Sequence, residues 1–254
     1  MTVSRRDFKT EGIVLRKTPF KETSYILEIF TKHLGRISVI AKGVRKEKQA
    51  QSGLLDLLNE LELVLHKSPQ SNWFILSSAR LLRSWLRDID FNNGLLLQAG
   101  IEVYRQLEIQ REDNLILYDL LLKYFRYIQR KRKNGIAVFW RFLLRIFNIY
   151  GIDIDVHSCV ECNTSEAEFI AFYPQKNGFI CKNCYLPAHY DSTLRISEKT
   201  AKVFSNIMFI GNVLEDIEIS NESVKELNNI FLLHLAEHFR QNFHLKSLEL
   251  YSNN

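Results

Sequence analysis

Four cysteines are the residues of this 254-residue chain whose type and spacing most directly predict chemistry. Cys159, Cys162, Cys181 and Cys184 follow the pattern C-x2-C-x18-C-x2-C, and the chain has no other cysteine. Two thiolates three residues apart can face one metal ion from a tight turn, and two such turns complete a tetrahedron. Because four sulfur ligands leave no open position for water, the pattern predicts one structural Zn²⁺ ion.

Other interpretations of these cysteines stay open: four free thiols, an iron–sulfur cluster, or a site in which His157 or His189 replaces one thiolate. We interpret the two histidines as surface residues. The N-terminal segment is charged and lacks the apolar stretch of a signal peptide, so we expect a cytoplasmic location, where paired C-x2-C motifs favour metal over disulfides. The chain has no run of 18 apolar residues, so no membrane span or membrane partner is expected.

Positive charge is concentrated at the start of the chain. Residues 1–48 contain twelve Lys or Arg and five Asp or Glu, a net charge of +7. The whole chain carries +5, so the other 206 residues carry −2. A basic segment joined to a nearly neutral body indicates a polyanionic partner, and we expect nucleic acid. A solvated basic face is the alternative.

The basic residues of this segment are candidates for phosphate contacts, since Lys and Arg neutralise the nucleic-acid backbone. We assign the contact to Arg16, Lys17, Lys32, Arg36, Lys42, Arg45 and Lys46. Lys21 and Lys48 belong to the same strip. Exposed aromatic rings can stack on unpaired bases, and the rings nearby are Phe20, Tyr25, Phe30 and Trp73. Phe20 lies beside Pro19 in an expected loop and is the best stacking candidate.

A second basic region extends over residues 123–145, which contain eight Lys or Arg and no acidic residue. Lys123 and Arg145 are its outermost cations, and its candidate contact residues are Arg126, Arg130, Lys131, Arg132, Lys133 and Arg141. A positive helix end that complements the helix dipole is one interpretation. A second DNA site, or a site for an acidic partner peptide, is the other.

Catalytic motifs are absent from the sequence, which contains no Walker A loop, Rossmann glycine pattern, HExxH or GxSxG. His234 and His238 are four residues apart on an expected helix and form a candidate metal pair. Their spacing around Glu237 differs from that of zinc proteases, so a structural or solvent-exposed role is favoured. Carboxylates are scattered rather than paired, and we therefore expect a binding protein, not an enzyme.

Short strands dominate the first third of the chain. Gly, Pro, Ser and Asn separate segments rich in aliphatic and aromatic residues, at 12–16, 24–30, 36–41, 60–65 and 73–77. Five short strands at this spacing fit a small barrel such as the OB-fold. Residues 54–58 can form a helical turn inside it.

From about residue 80 the pattern changes to helical spacing, with apolar residues at 117, 120, 121, 124, 125 and 128. Further helices are expected over residues 94–109, 136–149 and 197–211. Gly151 is placed to end the second of these. Ser223 and Glu226 can form a capping box for a last helix that ends near residue 241.

These patterns predict an α+β chain in which an N-terminal five-stranded OB-fold barrel is followed by an α-helical domain with an inserted four-cysteine zinc module. The expected segments are the DNA-binding barrel at 1–80, the helical domain at 81–152 and 191–254, and the zinc-binding insertion at 153–190. Inside the insertion we expect a hairpin of residues 168–173 and 178–181 packed around Phe169, Phe172 and Phe179.

The segment EGIVLRKTPFKETSYILEIFTKHLGRISVIAKGVRK closely resembles the start of the RecO family of bacterial recombination mediators. The resemblance is carried by residues 13–16, 22–23, 30–31, 35–36, 38–39 and 41–43 with Arg45. The segment FWRFLLRIFNIYGIDIDVHSCVEC is similar to the helix that leads into the family's zinc knuckle, and HLKSLELY is similar to its C-terminal signature. The matches occur in order across nearly the whole chain.

The resemblance implies a function in DNA repair and homologous recombination. RecO-like proteins bind single- and double-stranded DNA and anneal complementary strands. With RecR they help load RecA onto DNA coated by single-stranded DNA-binding protein, whose acidic C-terminal tail docks on their helical domain. The implied partners are therefore DNA, RecR and that tail. Residues 123–145 are the candidate site for the tail. The implied location is the cytoplasm, in association with the nucleoid.

Two other function classes stay open. A zinc-ribbon nucleic-acid-binding factor in transcription or RNA metabolism has the same charge but does not anneal strands. A metal-dependent nuclease requires open metal coordination or paired carboxylates, and a magnesium-dependent nicking assay would reveal it.

Overall fold

The computed structural model describes residues 7–45, 51–67, 73–130, 133–165, 168–186, 193–207 and 217–252. The chain divides into two compact units, Met1–Phe125 and Arg126–Asn254. The sequence predicted four segments instead, and this finer division stays a prediction.

Five strands close a barrel in the first unit: β1 (Asp7–Phe20), β2 (Ser24–Thr31), β3 (Gly35–Ala41), β4 (Asn59–Lys67) and β5 (Phe74–Ser84). They neighbour one another in the order β1-β2-β3-β5-β4, and all neighbours are antiparallel except β3 and β5. The one-turn helix α1 (Gln51–Leu54) lies between β3 and β4 in the chain. The predicted five-stranded OB-like barrel is confirmed.

Alternating side chains build the barrel core. Leu27 and Ile29 of β2 and Leu61, Leu63 and Leu65 of β4 are fully buried, while the residues between them are partly exposed. Successive side chains of a strand point to opposite faces, so a period of two places one face of each strand in the core. The aliphatic residues that marked these segments in the sequence supply the buried face.

β1 and β5 are longer than the predicted segments. β1 pairs with β4 through its first half and with β2 through its second, and Gly12 lies where the two ladders overlap. A Cβ atom on Gly12 would lie 2.7 Å from Cγ2 of Ile29, so glycine is required there. β5 continues to Ser84 because its later residues pair with β4, although none of its side chains is fully buried. The predicted segment, 73–77, omitted this half of β5 because pairing with β4, and not an apolar run, fixes its length.

Two helices complete the first unit and lead into the second. In α2 (Phe91–Gln106), Asp90 is the N-cap, and its carboxylate accepts a hydrogen bond from the Asn93 N–H. α2 packs against α3 (Asn114–Arg130), where the Tyr124 hydroxyl donates to the carbonyl of Leu96 at 2.6 Å. The contact is close enough that it needs a glycine, Gly100, opposite the Tyr124 ring.

The start of α3 is fixed to the turn between β2 and β3. The Asn114 side-chain amide donates to the carbonyls of Thr31 and Lys32, at 3.1 and 2.8 Å. Nearby, the Tyr104 ring of α2 packs on Phe30 with a centroid distance of 5.2 Å. α2 and α3 therefore cover one end of the barrel. The β1–β2 turn lies at the other end, where Lys21 and Glu22 are exposed.

The second unit inserts a small sheet between helices. The elements follow the order α4 (Gly135–Tyr150), β6 (Asp155–Cys159), β7 (Phe169–Tyr173), β8 (Gly178–Cys181), β9 (Leu194–Arg195), α5 (Glu198–Ile207), α6 (Asn221–Phe239) and α7 (Lys246–Ser252). The sheet order is β6-β8-β7-β9. Gly151, at φ 66°, ends α4 as predicted. Within the described ranges, none of the helices has the length and apolar character that crossing a bilayer requires.

Aromatic side chains join the sheet to the helices. The Phe179 ring of β8 lies 4.8 Å from Phe204 of α5, and Phe204 lies 5.8 Å from Phe231 of α6. Trp140 of α4 is fully buried, and its indole N–H donates to the Asn228 side chain at 2.8 Å. These contacts confirm the α+β architecture with the four-cysteine module inserted into the helical part.

The start of α6 differs from the prediction. Ser220 is the N-cap, and its hydroxyl oxygen accepts from the Ser223 N–H at 3.1 Å, so the predicted capping box at Ser223 is wrong. Glu226 instead accepts from the backbone N–H of Ser197 at 3.0 Å, next to the start of α5. A serine stands at both positions, and Glu226 is bonded to Ser197 rather than to the start of α6. α6 is also followed by α7, which was not predicted, and the predicted end of α5 lies outside the described residues.

Candidate metal centre and nucleic-acid interface

The four cysteines converge in the second unit. Their Sγ atoms all lie within 4.8 Å of one another, and Sγ of Cys162 is 3.8 Å from Sγ of Cys181. Cys159 and Cys181 end β6 and β8, and Cys162 and Cys184 lie in the turns that follow. Because β6 pairs with β8, the two turns stand side by side.

Backbone hydrogen bonds shape both turns around the sulfur atoms. The Asn163 N–H donates to the Cys159 carbonyl at 2.8 Å, and the Cys184 N–H donates to the Cys181 carbonyl at 3.1 Å. The Cys181 N–H points at the Cys159 sulfur, 3.4 Å away. The sequence C-x2-C therefore folds as the predicted pair of knuckles.

The predicted hairpin supports these knuckles. β7 and β8 are antiparallel partners joined by a 3-10 turn at Pro174–Lys176. Phe179 packs on Phe172 at 5.3 Å and on Phe169 at 6.1 Å, so the three predicted core rings are together. Removing any of these rings would loosen the strand ends that hold the thiols.

The electrostatics of the thiols favour a bound cation. Burial alone raises the pKa of Cys159, but hydrogen bonds from the N–H groups of Cys162, Cys181 and Glu161 outweigh it and lower the pKa to about 7. Hydrogen bonds within the cluster, first from Cys162 and then from Cys181, raise the pKa of Cys184. Cys159 therefore ionises more readily than an ordinary cysteine, and Cys184 ionises less readily. A cation among the four sulfur atoms favours the ionised form of both, and the donor set fits one metal ion.

The histidines lie away from the sulfur cluster. His157 is exposed, and its backbone N–H donates to the Asp155 carboxylate at 2.8 Å. His189 lies outside the described residues. In the ranges that the structure describes, the four cysteines are the group that could hold a metal ion, and neither His234 nor His238 belongs to it.

His234 and His238 instead connect α6 to the inserted sheet. His234 is fully buried, and its Nε2–H donates to the Ile152 carbonyl at 2.7 Å. His238 donates to the side chain of Asn177, in the β7–β8 turn, at 2.8 Å. Burial is the main cause that lowers the pKa of His234 to about 4, with a smaller contribution from His238. The two histidines therefore have a structural role rather than a metal-binding one.

The barrel cations predicted to contact phosphate divide into two groups. Arg36 lies at the helix-covered end, where its guanidinium donates to the Tyr104 carbonyl at 2.9 Å and also to the Arg105 carbonyl. It further pairs with Glu28 at 3.6 Å, a carboxylate that Arg105 also contacts at 3.3 Å. Arg36 is thus engaged with the end of α2.

Two lysines of the predicted set form ion pairs. Lys32, at the same end of the barrel as Arg36, lies 3.3 Å from Glu11. Lys17, in β1, lies 2.7 Å from Asp56, and its ammonium stands 4.3 Å from the centre of the Tyr25 ring. The Lys32 side chain is 35% exposed, so a phosphate can still approach it, whereas the Lys17 side chain is 14% exposed and mostly covered.

The other cations lie mid-barrel or at the exposed end. Arg16 is exposed in the middle of β1, and Lys42 is exposed directly after β3. Arg45 is exposed and donates both its N–H, to the Thr23 carbonyl, and its guanidinium, to the Lys21 carbonyl, each at 3.0 Å. Lys46 and Lys48 lie outside the described residues.

Strand register gathers these residues. Tyr25 pairs with Ala41, so the β1–β2 turn stands beside the end of β3 and hence beside Lys42. Val39 pairs with Phe74, which places the start of β5 at the same end. Lys67, the exposed last residue of β4, pairs with Phe74 as well. The sequence prediction missed Lys67, because only the β4–β5 register brings it there.

The second basic region keeps much of its charge at the surface. Arg126, Arg130 and Lys133 are exposed, whereas Lys131 and Arg132 lie outside the described residues; Lys123 and Arg145 are exposed too. Arg141 is half-buried and donates to the Ile207 carbonyl at 3.4 Å. Burial first, and then the charge of Arg145, lowers the pKa of Arg141, while Tyr127 acts in the opposite direction. Arg141, Arg145 and the exposed Tyr127 are therefore neighbours.

Two family models match the chain and together cover most of it. The model described as "Recombination protein O N terminal" matches residues 4–85, and the one described as "Recombination protein O C terminal" matches residues 90–249. The chain belongs to the RecO family.

Curated RecO proteins are similar to this chain. DNA repair protein RecO of Acetivibrio thermocellus is 25% identical over 241 residues, 92% of this chain and 93% of that protein. The RecO of Alkaliphilus metalliredigens is 25% identical over 246 residues, 95% and 97% of the two chains. The RecO of Prosthecochloris aestuarii is 30% identical over 153 residues, 60% of this chain and 58% of that protein.

Many of the residues that carry the RecO resemblance in the barrel form its turns or its core. Gly35 and Gly43 have φ angles of 71° and 73°, which glycine adopts without strain. Val39 and Ala41 are fully buried. The RecO resemblance thus predicted the barrel, whereas the position of each cation had to come from the structure.

Proposed function

We propose that this chain is a DNA repair and homologous recombination mediator. It binds single- and double-stranded DNA, anneals complementary strands and, with RecR, helps load RecA onto DNA coated by single-stranded DNA-binding protein. The observation that carries the proposal is the exposed end of the barrel, where Lys21, Lys42 and Arg45 surround the β1–β2 turn. Membership of the RecO family, whose curated members are named DNA repair proteins, supports this setting.

The mechanism rests on neutralising phosphate charge. Cations at the barrel end bind the backbone of one strand and release its counterions. A second strand then meets less repulsion and pairs through its own bases, so annealing needs no covalent chemistry. Arg16 and Lys17 extend the contact along β1, with Lys46 beyond the described residues. We therefore propose a binding protein rather than an enzyme.

Lys32 and Arg36 stay candidates for a wider DNA contact. Both lie at the helix-covered end, and both already have acidic or carbonyl partners. A duplex that lies along the barrel reaches both ends, while a short single strand at the β1–β2 turn reaches only one. The two groups are separable by mutation, because they share no described hydrogen bond.

We propose that the metal is one Zn²⁺ ion held by Cys159, Cys162, Cys181 and Cys184. Four thiolates satisfy tetrahedral zinc and leave no site for water, so the ion supplies stability and no reaction. It joins the ends of β6 and β8, on which the hairpin depends. An iron–sulfur cluster is the alternative with the same ligands, and it would colour the protein, whereas zinc would not.

The second basic region is our candidate for the acidic C-terminal tail of single-stranded DNA-binding protein. Tyr127 is 59% exposed and neighbours Arg141, so an apolar surface and a cation lie together. Arg126→Ala with Arg130→Ala is expected to weaken binding of an acidic tail peptide in calorimetry. Lys246→Ala, an exposed cation of α7, is the control. Equal binding by all three proteins would contradict the assignment.

RecR and a nucleoid-associated cytoplasmic location complete the proposal, and both rest on the family. The test of the function is annealing of two complementary oligonucleotides, each coated with single-stranded DNA-binding protein and followed by fluorescence quenching. Fast pairing that is lost at high salt supports the proposal. DNA binding without annealing would instead favour a zinc-ribbon factor of transcription or RNA metabolism, and strand cleavage with magnesium would indicate a nuclease.

A further inference from the structure

An aromatic pair stands at the exposed end of the barrel. The Phe20 and Trp73 rings lie 6.3 Å apart, edge to face, with an interplanar angle of 62°. They are far apart in sequence, and strand pairing brings them together: Phe20 ends β1, and Trp73 precedes β5 directly. The Lys21 ammonium lies over the Phe20 ring, 5.4 Å from its centre.

These two rings differ from the other aromatic residues of the barrel. Tyr25 and Phe74 pack against the buried core of the barrel, and Phe30 is itself fully buried. Neither Phe20 nor Trp73 belongs to that core cluster, and 36% of the Trp73 surface is exposed. An aromatic pair outside the core retains surface for a ligand.

The cations around the pair are held in place by the backbone. Arg45 fixes the β1–β2 turn through its hydrogen bonds to the carbonyls of Lys21 and Thr23. Lys21 adopts a φ of 52°, so the conformation of the tight turn fixes the direction in which its side chain leaves the backbone. A shallow, open depression lies beside the turn, lined by Lys21, Glu22, Thr23 and Arg45.

Tyr25 is a poorer platform than the pair. The Lys17 ammonium and the Arg45 guanidinium lie 4.3 and 5.6 Å from the centre of its ring. Tyr25 also packs on the buried core, whereas Phe20 does not, and the Lys17–Tyr25 contact is closer than the 5.4 Å contact of Lys21 with Phe20. Phe20 and Trp73 are the rings at this end that combine exposure with neighbouring positive charge.

We propose that Phe20 and Trp73 form a stacking site for an unpaired base of single-stranded DNA, with Lys21 and Arg45 binding the adjacent phosphate. The inference rests on the proposed function, that the barrel binds DNA, and it adds how the barrel distinguishes strands. A duplex hides the faces of its bases and offers only phosphate, whereas a single strand offers both. Every base has a flat face, so the site takes any sequence.

Tryptophan fluorescence gives a direct readout of the stack. Of the three tryptophans, Trp85 and Trp140 are 1% and 0% exposed, so a base can reach Trp73 alone among them. Titration with an oligo-dT of about 20 nucleotides is expected to quench the emission of the full-length protein. Trp73→Phe is expected to abolish most of that quenching while keeping an aromatic ring for the base.

Affinity measurements with matched variants test the proposal. Phe20→Leu is expected to weaken oligo-dT binding roughly ten- to a hundredfold, and to leave a blunt duplex of equal length unchanged. Phe20→Tyr keeps a flat ring and should bind like the wild type. The control is Phe91→Leu, because Phe91 is a 68% exposed phenylalanine at the start of α2. All four proteins are compared at one salt concentration.

The outcomes separate this inference from the proposed function. If Phe20→Leu weakens oligo-dT and duplex equally, the residue shapes the turn, and the stacking proposal is overturned. If Phe20→Leu changes neither, it is also overturned, while Lys42→Gln still reports on phosphate binding. A wild-type protein that binds neither DNA would overturn the proposed function and the stacking site together.

Discussion

The guanidinium of Arg36, in β3, donates a hydrogen bond of 2.9 Å to the backbone carbonyl of Tyr104, in the last turn of α2. The last carbonyls of a helix have no partner within it and carry a partial negative charge, so a cation there satisfies both needs. Arg36 therefore joins the barrel to α2, in addition to any contact with DNA.

Arg36→Gln is expected to lower the stability of the first unit. The loss should be about 1–3 kcal/mol, since a charged group with several hydrogen bonds is removed. Urea unfolding measures it, and Arg16→Gln, an exposed cation of β1, is the control that should change stability by less than about 0.5 kcal/mol. Unchanged stability with a weaker salt dependence of DNA binding would show that Arg36 serves phosphate instead.

Gly100→Ala is expected to destabilise the first unit although alanine favours helices. The new Cβ would lie 2.6 Å from Cε1 of Tyr124, whose ring is held by its hydrogen bond to Leu96. Overpacking of this kind costs about 1–3 kcal/mol, more than the gain of about 1 kcal/mol from helix propensity. Gly94→Ala, in the same helix, meets no atom closer than 3.9 Å and should stabilise. Equal effects of the two changes in urea unfolding would contradict the packing shown here.

A shared metal ion predicts that replacing an exposed cysteine and replacing a buried one lower zinc content and stability to the same extent. Cys162 is exposed and Cys181 is 1% exposed, so without a metal only Cys181→Ser should disturb the fold. With a shared ion, Cys162→Ser and Cys181→Ser should both lower zinc content and the thermal stability of the second unit. Elemental analysis and thermal unfolding measure both quantities. A Cys162→Ser protein that has the thermal stability of the wild type, with no metal found in either protein, would contradict the metal site.

The pKa of His234 predicts acid sensitivity of the second unit. Burial lowers this pKa to about 4, below the ordinary value near 6.5, so the unfolded chain binds a proton first as pH falls. The contribution of neutral His234 to the free energy of unfolding is therefore complete above pH 6.5. As the pH falls from 6.5 to 4, this free energy decreases by on the order of 3 kcal/mol.

His234→Gln keeps a donor for the Ile152 carbonyl but does not titrate, so its stability should fall less across that pH range. Urea unfolding at several pH values, followed by circular dichroism, makes the comparison. His33→Gln, at an exposed histidine of the first unit, is the matched control. Parallel pH profiles for wild type and His234→Gln would contradict the assigned pKa.

Local patterns predicted the features that depend on neighbours in sequence. The cysteine spacing predicted the two knuckles, because each turn needs only its own residues. The helix expected over residues 136–149 is α4 (Gly135–Tyr150), since its apolar positions and the stop at Gly151 are local. The aliphatic and aromatic segments between turn-forming residues likewise predicted β2, β3 and β4.

Long-range contacts account for what the sequence did not predict. Arg36 and Lys42 belong to one basic strip in the sequence, yet the β2–β3 register places Arg36 at the helix-covered end and Lys42 at the other. Trp73 reaches Phe20 only through the pairing of β3 with β5. The full length of β5 was missed for the same reason, because a partner strand and not its own apolar pattern fixes it.

The most direct test of the account is the salt dependence of DNA binding by the exposed barrel end. Log K for oligo-dT is measured against log salt for the wild type, for Lys21→Gln with Lys42→Gln, and for the control Lys9→Gln. Lys9 is 70% exposed and pairs with Glu62 on another part of the barrel. We expect the double variant to reduce the slope by about 1.4, or about 0.7 per lost contact, and the control to leave it unchanged. Equal slopes for all three proteins would contradict the claim that this end of the barrel binds the DNA backbone.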